Sequence, residues 1–162
     1  MTIYVAVCGP DPAPQDVAAQ AEEVGRRLAG AGAVLVCGGL GGTMDAAALG
    51  VAAEGGVSIG ILPDASRARG SEHLTYSIPT GMGEMRNSLI VRCADALIAI
   101  GGEFGTLSEI AFALKTGVPV IGLGTWELAK AGRPIDPFVR VTTPEAAVAE
   151  ALLRATSKPE GP

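Results

Sequence analysis

The residues best suited to chemistry in this sequence lie in one segment, IGGEFGTLSE, at positions 100–109. The apolar run at 96–100 predicts a buried parallel strand, and two glycines follow it directly. A helical pattern begins a few residues later, at 107–115. A strand, a glycine loop and a helix N-terminus in this order predict a binding site for an anion, and the expected anion is a phosphate.

The phosphate-binding positions predicted in this segment are glycines and one threonine. Glycine allows a ligand to approach the backbone closely, and the unpaired N–H groups of the first helical turn point toward that ligand. Glu109 comes one turn into the predicted helix, where its carboxylate could act on whatever the phosphate carries. The predicted binding residues of this loop are Gly101, Gly102, Gly105 and Thr106.

A second interpretation of the same residues is structural. Thr106 and Glu109 have the spacing of a T-x-x-E capping box, in which the carboxylate returns to the amide of the threonine at the start of a helix. The paired glycines ahead of Thr106, and a similar glycine loop earlier in the chain, favour the phosphate interpretation.

The earlier glycine loop follows an apolar strand predicted at 34–37 and precedes a helix predicted at 44–53. Ligands bind at the carboxyl ends of strands in open parallel sheets, so two such loops indicate a ligand site. Glycines that only allow close packing of a helix on the sheet are the alternative. Asp45 is suited either to a ribose hydroxyl or to the helix dipole. The predicted binding residues here are Gly38, Gly39, Gly41, Gly42 and Thr43.

Arg86 is the basic residue best placed in sequence to face a glycine loop. It lies near the start of a helix predicted at 84–94, and this helix directly precedes the central strand. The alternative is an exposed arginine paired with Glu84 or Glu22, a contact that contributes little to stability. The remaining residues assigned to the ligand site are Gly9, Met82 and Asn87.

The rest of the chain alternates strands with helices, which is typical of a parallel sheet flanked by helices. A polar, irregular segment at 63–79 and a loop at 126–137 interrupt the alternation. His73, in the first of these, is either a substrate contact or a solvated loop residue. Further strands are predicted at 3–7, 57–62, 118–123 and 138–141, and further helices at 15–29 and 144–155.

Composition limits the classes of function. The chain has 162 residues, of which 48% are hydrophobic and 18% charged, so we expect one domain over 1–156 and a flexible tail at 157–162. A net charge of −5 without a basic cluster argues against nucleic-acid binding. No signal segment and no apolar run of membrane-spanning length occurs, so we expect no membrane partner and a cytoplasmic location.

The cysteine pattern argues against a metal site and against a disulfide framework. Cys8, Cys37 and Cys93 form no C-x-x-C motif, and the sequence contains one histidine. Cys8 and Cys37 each end a predicted strand and are expected near each other. The three residues are interpreted as small, buried core thiols.

Two spaced motifs resemble the LOG (Lonely Guy) family. The sequence GMGEMRN at 81–87 is followed, after thirteen residues, by GGEFGTLSE at 101–109. The upstream GGLGGTMD at 38–45 and G-x-L-P at 60–63 are also similar to family motifs. The LOG family shares a Rossmann-like superfamily with the molybdenum cofactor carrier protein and with one domain of a DNA-processing protein.

The resemblance implies an α/β fold, namely a single Rossmann-like doubly wound domain with a mainly parallel sheet flanked by helices. LOG enzymes are phosphoribohydrolases that cleave the N-glycosidic bond of cytokinin nucleoside 5′-monophosphates. The resemblance therefore assigns catalysis to Arg86 and Glu109, requires no cofactor, and implies a small phosphorylated ligand such as AMP.

Two departures from the LOG pattern point to a second function. Ile100 stands where the family has proline, and Asn87 stands where the family has lysine. The Arg-Asn version is more similar to the branch that contains the molybdenum cofactor carrier. That branch implies a non-catalytic carrier or sensor that binds molybdenum cofactor or a nucleotide.

Self-association is also expected. The helices predicted at 84–94 and 107–116 are apolar enough to pair across a two-fold axis. The resemblance to LOG enzymes implies a homodimer, and the resemblance to the carrier implies a homotetramer.

Overall fold

Nine strands and five α-helices lie within residues 1–157, the part of the chain that the computed structural model describes. The strands are β1 (Tyr4–Cys8), β2 (Val34–Cys37), β3 (Val57–Leu62), β4 (Tyr76–Pro79), β5 (Ala96–Ile100), β6 (Val120–Leu123), β7 (Leu128–Lys130), β8 (Arg133–Ile135) and β9 (Val139–Val141). The α-helices are α1 (Gln15–Gly30), α2 (Gly42–Ala53), α3 (Asn87–Arg92), α4 (Phe104–Thr116) and α5 (Pro144–Thr156).

Seven of these strands form one sheet in the order β4-β3-β2-β1-β5-β6-β9, and every neighbouring pair is parallel. The predicted α/β, Rossmann-like doubly wound fold is therefore confirmed. The chain builds outward from β1 to β4 and then returns to add β5 on the other side of β1. The strand order thus reverses between β1 and β5, and such a reversal opens a crevice at the carboxyl ends of the two strands.

The two faces of the sheet carry different helices. α1, α2 and α5 cover one face, whereas α3 and α4 cover the other. α1 and α2 meet backbone to backbone, because a Cβ atom at Gly25 would lie 2.1 Å from the carbonyl oxygen of Ala47. A Cβ atom at Gly50 would likewise lie 2.0 Å from the carbonyl oxygen of Glu22. These glycines serve helix packing and lie outside the glycine loops.

Four segments differ from the elements predicted by the sequence. The segment at 63–79 ends in β4, an edge strand. Its side chains are exposed or half-exposed, so its sequence lacks the apolar run that would have predicted a strand. The loop at 126–137 contains the β7–β8 hairpin. The helix at 84–94 divides into a 3₁₀ turn, Gly83–Arg86, and the shorter α3. α4 begins three residues earlier than predicted, at Phe104.

Cys8 and Cys37 are buried on neighbouring strands, as expected, whereas Cys93 differs from the prediction. Cys8 packs in the core on the α3–α4 face, whereas Cys37 packs in the core on the opposite face. The two thiols therefore do not face each other, because consecutive strand residues alternate between the faces of a sheet. Cys93 is exposed, so its interpretation as a core thiol is wrong.

Two structural findings bear on membranes and metals. None of the helices described within residues 1–157 has both the length and the apolar character needed to cross a bilayer. Within the same residues, no three histidine, cysteine or acidic side chains gather as a metal site. Most of the predicted flexible tail, 158–162, lies outside the described residues.

Candidate functional site

A cavity of about 110 Å³ opens at the carboxyl ends of β1 and β2, beside the first turn of α4. It lies at the reversal of strand order, where open parallel sheets bind ligands. Larger, open depressions of about 570 and 500 Å³ lie along the edge strands β4 and β9. The lining of the small cavity is Val7, Cys8, Gly9, Gly38, Met44, Arg86, Asn87, Gly105, Thr106 and Glu109.

Buried polar groups identify the small cavity as the functional candidate. Residues 1–157 contain six buried polar or charged residues, and four of them line this cavity. Burying a polar or charged group costs free energy unless the group has a hydrogen-bond or ionic partner. Several such groups at one place therefore indicate either a ligand or a network in which they pair with each other. The four residues are Arg86, Asn87, Thr106 and Glu109.

The α4 glycine loop, Gly101–Gly105, brings backbone N–H groups to this cavity. Gly102 has a φ of +128°, and a Cβ atom there would lie 2.7 Å from the Thr106 side chain, so only glycine fits. The hydrogen bonds of α4 begin where the amide of Leu107 donates to the carbonyl of Glu103, at 3.0 Å. The amides of the first turn therefore have no acceptor within the helix and can bind an anion.

The structure excludes the capping-box interpretation. α4 begins at Phe104, its N-cap is Glu103, and no side chain caps it. Thr106 is the third residue of the helix and cannot act as the N-cap. Glu109 lies in the second turn, is only 6% exposed and lines the cavity, so its carboxylate does not return to the helix start.

Burial determines the ionisation of Glu109. The loss of hydration raises the pKa of its carboxyl group to about 7, although the positive charge of Arg86 and the thiol of Cys8 oppose this shift. Burial, together with the neighbouring Glu109 charge, raises the pKa of the Cys8 thiol well above its ordinary value. The cavity floor near neutral pH thus holds a carboxyl group that can be neutral or charged and a thiol that stays protonated.

Arg86 is 8% exposed, so its interpretation as an exposed arginine is wrong. Its Nη2 group donates to the carbonyl of Gly38 at 3.2 Å, and its Nη1 group donates to Oδ1 of Asn87. Within residues 1–157, Arg86 Nε is one of two buried side-chain atoms without a hydrogen-bond partner, and the other is Asp64 Oδ2. Burial lowers the pKa of Arg86, and the charge of Glu109 acts against that change.

Asn87 connects the arginine to α4. Its Nδ2 group donates to the hydroxyl of Ser108 at 3.1 Å, and that hydroxyl donates to the carbonyl of Gly105 at 2.6 Å. The chain of contacts from Arg86 through Asn87 and Ser108 fixes the glycine loop relative to the arginine. Sequence reasoning missed Ser108, which bonds Asn87, and Cys8, which contacts the Glu109 carboxyl group, because neither residue type signals such a contact at its position.

Glycine is required at positions 9 and 38 because other groups of the protein lie very close to the backbone there. A Cβ atom at Gly38 would lie 2.6 Å from Nη2 of Arg86, so a side chain there would displace the arginine. A Cβ atom at Gly9 would lie 2.5 Å from the carbonyl oxygen of Ile100, at the end of the neighbouring strand. Both residues line the cavity, and their role as ligand contacts stays a prediction.

The α2 glycine loop, Gly38–Gly42, is covered by the chain itself. The amide and the hydroxyl of Thr43 both donate to the carbonyl oxygen of Pro10, at 3.1 and 2.9 Å. A Cβ atom at Gly41 would lie 3.0 Å from the Asp11 carboxylate. The segment after β1 thus occupies the N-terminal end of α2.

Seven residues predicted to bind ligand lie outside the cavity lining. Met82 is 40% exposed on the segment before the 3₁₀ turn, and Thr43 is fully buried behind the α2 glycine loop. The remaining five belong to the two glycine loops, and their assignment as ligand contacts stays a prediction. They are Gly39, Gly41, Gly42, Gly101 and Gly102.

Asp45 connects α2 to the long loop after β3. Ser71 donates its hydroxyl to Asp45 Oδ1, and Nδ1 of His73 lies 3.0 Å from the same oxygen. Partial burial acts to raise the pKa of Asp45, but these hydrogen bonds outweigh burial and lower it. Asp45 is therefore charged near neutral pH and fastens the loop, and His73 is half-buried against it.

A parallel, doubly wound sheet with glycine loops at its switch point defines a Rossmann-like class of ligand-binding proteins. The chain belongs to the SLOG cluster4 family, whose model matches residues 2–148. An uncharacterized protein of Archaeoglobus fulgidus is 40% identical over 121 residues, which cover 75% of this chain and 80% of that protein.

Solved structures of molybdenum cofactor proteins are similar over nearly the whole chain. The molybdenum cofactor binding protein from Rippkaea orientalis is 30% identical, with a TM-score of 0.84, over 98% of this chain and 99% of that chain. The molybdenum cofactor carrier protein from Chlamydomonas reinhardtii is 30% identical, with a TM-score of 0.82, over 97% of this chain and 100% of that chain. The expected position near the carrier branch is thus confirmed.

Proposed function

We propose that this protein binds a small phosphorylated ligand at the α4 glycine loop and acts as a carrier or sensor. The observation on which the proposal depends is the pairing of open first-turn amides with Arg86, whose buried Nε lacks a partner among the described residues. Backbone N–H groups at a helix N-terminus and a buried guanidinium are the donors that a phosphate dianion prefers.

The ligand class proposed first is the phosphorylated pterin of the molybdenum cofactor, with nucleotides as the alternative. The similarity to molybdenum cofactor binding proteins supports this order. The donor set fits the phosphate end of such a cofactor, which Gly105, Thr106 and Arg86 would hold. The bound cofactor supplies a redox-active molybdenum centre to the enzymes that receive it.

The proposed function is tested by equilibrium binding to the purified full chain. Ribose 5-phosphate, AMP and isolated molybdenum cofactor are titrated calorimetrically, with adenosine as the ligand that lacks phosphate. The proposal expects binding of the phosphorylated compounds and weaker binding of adenosine by at least about tenfold, since charged hydrogen bonds contribute roughly 1.5–3 kcal/mol each. Equal affinity for AMP and adenosine contradicts it.

A second candidate function is hydrolysis of a nucleoside 5′-monophosphate, and the ionisation of Glu109 favours it. A carboxyl group with a pKa of about 7 can act as a general base near neutral pH. Water would add to the anomeric carbon as the glycosidic bond breaks, and the bonding electrons would pass to the departing nucleobase. Glu109 would stabilise the positive charge that develops on the sugar, accept the proton of the attacking water and pass it on to the nucleobase.

One incubation separates the two candidates. AMP is held with the protein and the release of adenine and ribose 5-phosphate is followed by chromatography, with Glu109→Gln as the comparison. A carrier binds AMP without releasing adenine. Catalytic release of adenine that disappears in Glu109→Gln, while AMP still binds, supports the hydrolase and contradicts the carrier. Release at equal rates in both proteins contradicts the role given to Glu109.

Self-association through the α3–α4 face, as a homodimer or homotetramer, is proposed as well. Met85 is 74% exposed and Phe112 is 41% exposed on this face, and a groove of about 220 Å³ runs between the two helices. Large apolar side chains that share an exposed face are typical of interfaces. Light scattering on the wild type and on Met85→Lys tests the proposal, because a monomeric wild type contradicts it.

A further inference from the structure

An aromatic pair stands on the rim of the α4 glycine loop. Phe104 is the first residue of α4 and is 77% exposed. The centroid of its ring lies 5.7 Å from that of Trp126, with an angle of 38° between the ring planes. The indole N–H of Trp126 donates to the carbonyl of Glu103 at 3.3 Å. Two aromatic rings are thereby fixed next to the amides proposed to bind phosphate.

The high exposure of the Phe104 side chain is unusual for an aromatic residue and indicates a function. Aromatic residues make up only 4% of the sequence, and the chain contains three phenylalanines and one tryptophan. Phe138 is buried in the core, whereas Phe104 leaves most of its ring in water despite a neighbouring tryptophan. Burying a side chain of this size is worth about 1.5–3 kcal/mol, which this position forgoes.

The size of the cavity indicates where the rest of the ligand lies. A volume of about 110 Å³ is small next to the roughly 300–1,000 Å³ of pockets that enclose whole organic ligands. It has room for a phosphate group but not for a nucleotide or a pterin. Any ring attached to the phosphate must therefore lie outside the cavity, across the rim of the loop.

We propose that Phe104 and Trp126 form a stacking surface for the planar, heteroaromatic ring of the phosphorylated ligand. The proposal rests on the function proposed above and adds a specificity: phosphates that carry a purine or a pterin bind better than phosphates without a ring. Planar rings stack on exposed aromatic side chains irrespective of their hydrogen-bonding edges. Phe104 supplies the open ring, and Trp126 holds that ring in place through its own bond to Glu103.

This position of the ring has a consequence for chemistry. Glu109 lines the cavity, whereas Phe104 does not. A sugar that follows a ring stacked on Phe104 would therefore lie outside the cavity that holds the Glu109 carboxylate. The stacking surface therefore favours a carrier over a hydrolase.

The test compares a ligand with a ring to a ligand without one. AMP and ribose 5-phosphate are titrated into the full-length wild type, Phe104→Leu and Tyr76→Leu. Phe104→Leu keeps an apolar side chain and removes the ring, and Tyr76→Leu removes an exposed ring on β4, away from the cavity lining. The expected result is a loss of AMP affinity of roughly 5- to 150-fold in Phe104→Leu, with ribose 5-phosphate affinity unchanged and Tyr76→Leu like the wild type.

Fluorescence supplies a second readout, because Trp126 is the sole tryptophan of the chain. AMP is expected to quench its emission, and ribose 5-phosphate is not. The stacking proposal alone is overturned if AMP and ribose 5-phosphate bind the wild type equally, or if Phe104→Leu weakens both ligands alike. If neither compound binds the wild type, the proposed function is wrong, and the stacking proposal, which rests on it, is wrong as well. The stacking proposal is also overturned if Phe104→Leu changes the oligomeric state of the protein but not its preference for AMP over ribose 5-phosphate.

Discussion

The two glycine loops of this protein have similar sequences but different surroundings. Each follows a buried strand and precedes a helix, yet only one is accessible. The α2 glycine loop, Gly38–Gly42, lies under the segment after β1, where the Pro10 carbonyl accepts two hydrogen bonds from Thr43. The α4 glycine loop, Gly101–Gly105, has exposed residues, a cavity at its side and two buried charged groups facing that cavity.

This contrast shows that a glycine loop before a helix does not by itself mark a binding site. Backbone N–H groups bind an anion only if the protein has not already supplied an acceptor. At α2 the acceptor is internal, and the Asp11 carboxylate stands nearby as a further negative group. At α4 the amide of Gly101 donates to the carbonyl of Leu123 at 3.1 Å, but the amides of the first helical turn have no acceptor within the helix, and Arg86 lines the cavity beside them with its positive charge. We therefore assign the ligand to α4 and a supporting role to α2.

The largest effect is expected from filling the space at the α4 loop. A Cβ atom at Gly105 meets nothing closer than Asn87 Nδ2 at 4.0 Å, so Gly105→Val has space for its Cβ atom, and its two methyl groups are expected to occupy the cavity. Phosphate affinity should fall by roughly 100-fold or more, because at least one or two charged hydrogen bonds of about 1.5–3 kcal/mol are lost. Calorimetric titration with ribose 5-phosphate measures the loss.

Gly41→Ala is the matched control for this change. It adds a side chain to the α2 loop, where the exposed Asp11 carboxylate can move aside. Its ribose 5-phosphate affinity should stay within about twofold of the wild type, since surface changes usually cost less than 0.5 kcal/mol. Equal losses in both variants would mean that the two loops contribute alike.

The second largest effect is expected from removing the buried positive charge. Arg86→Gln should lower ribose 5-phosphate affinity by roughly 10- to 150-fold, the range for one hydrogen bond to a charged group. It should also raise the pKa of Glu109 further, because the Arg86 charge now holds that pKa down. Arg92→Gln, an exposed arginine on α3, is the control. Carboxyl infrared titration and calorimetry read the two effects, and an unchanged affinity in Arg86→Gln contradicts the site.

A smaller effect concerns stability. Glu109 ionises near 4.5 when unfolded and near 7 when folded, so between these pH values the folded state binds more protons. The free energy of unfolding therefore falls as pH rises through this window and levels off above pH 7. Glu109→Gln should raise the free energy of unfolding by on the order of 2 kcal/mol at pH 8 and by less at pH 5. Urea unfolding at both pH values checks this, and equal effects at pH 5 and pH 8 would show that the carboxyl group is not buried as described.

The smallest effect is expected at the covered loop. Asp11→Ala removes the carboxylate beside Gly41 and leaves the Pro10 carbonyl in place. Ribose 5-phosphate affinity should change by less than about twofold, in line with other exposed substitutions. A gain of a second phosphate site, seen as a stoichiometry of two, would mean that the α2 amides are open after all.

Much of the fold follows from local patterns, whereas the contents of the site do not. The Thr143–Pro144 start of α5 was predictable because an N-cap threonine and a first-turn proline act within four residues, and the Thr143 hydroxyl does accept from the Ala146 amide. The left-handed stop at Gly117, with φ of +73°, was predictable for the same reason. Patterns of this kind require no knowledge of distant contacts.

Sequence patterns could not predict contacts between distant parts of the chain. The sequence does not reveal that Pro10 covers the α2 loop or that Arg86 reaches the Gly38 carbonyl, forty-eight positions away. The capping-box pattern at Thr106 was misleading, because α4 begins earlier than its apolar periodicity indicates. Cys8 and Cys37 do lie on neighbouring strands, but the strand register, which the sequence does not reveal, puts their thiols on opposite faces of the sheet.

The most direct test is a crystal structure of the full chain grown with AMP. We expect the phosphate within hydrogen-bonding distance of the first-turn amides of α4 and of the Arg86 guanidinium, with the Asp11 segment still covering α2. A phosphate found instead at the N-terminal end of α2, or a cavity beside Glu109 closed by protein side chains with AMP bound elsewhere, would contradict it.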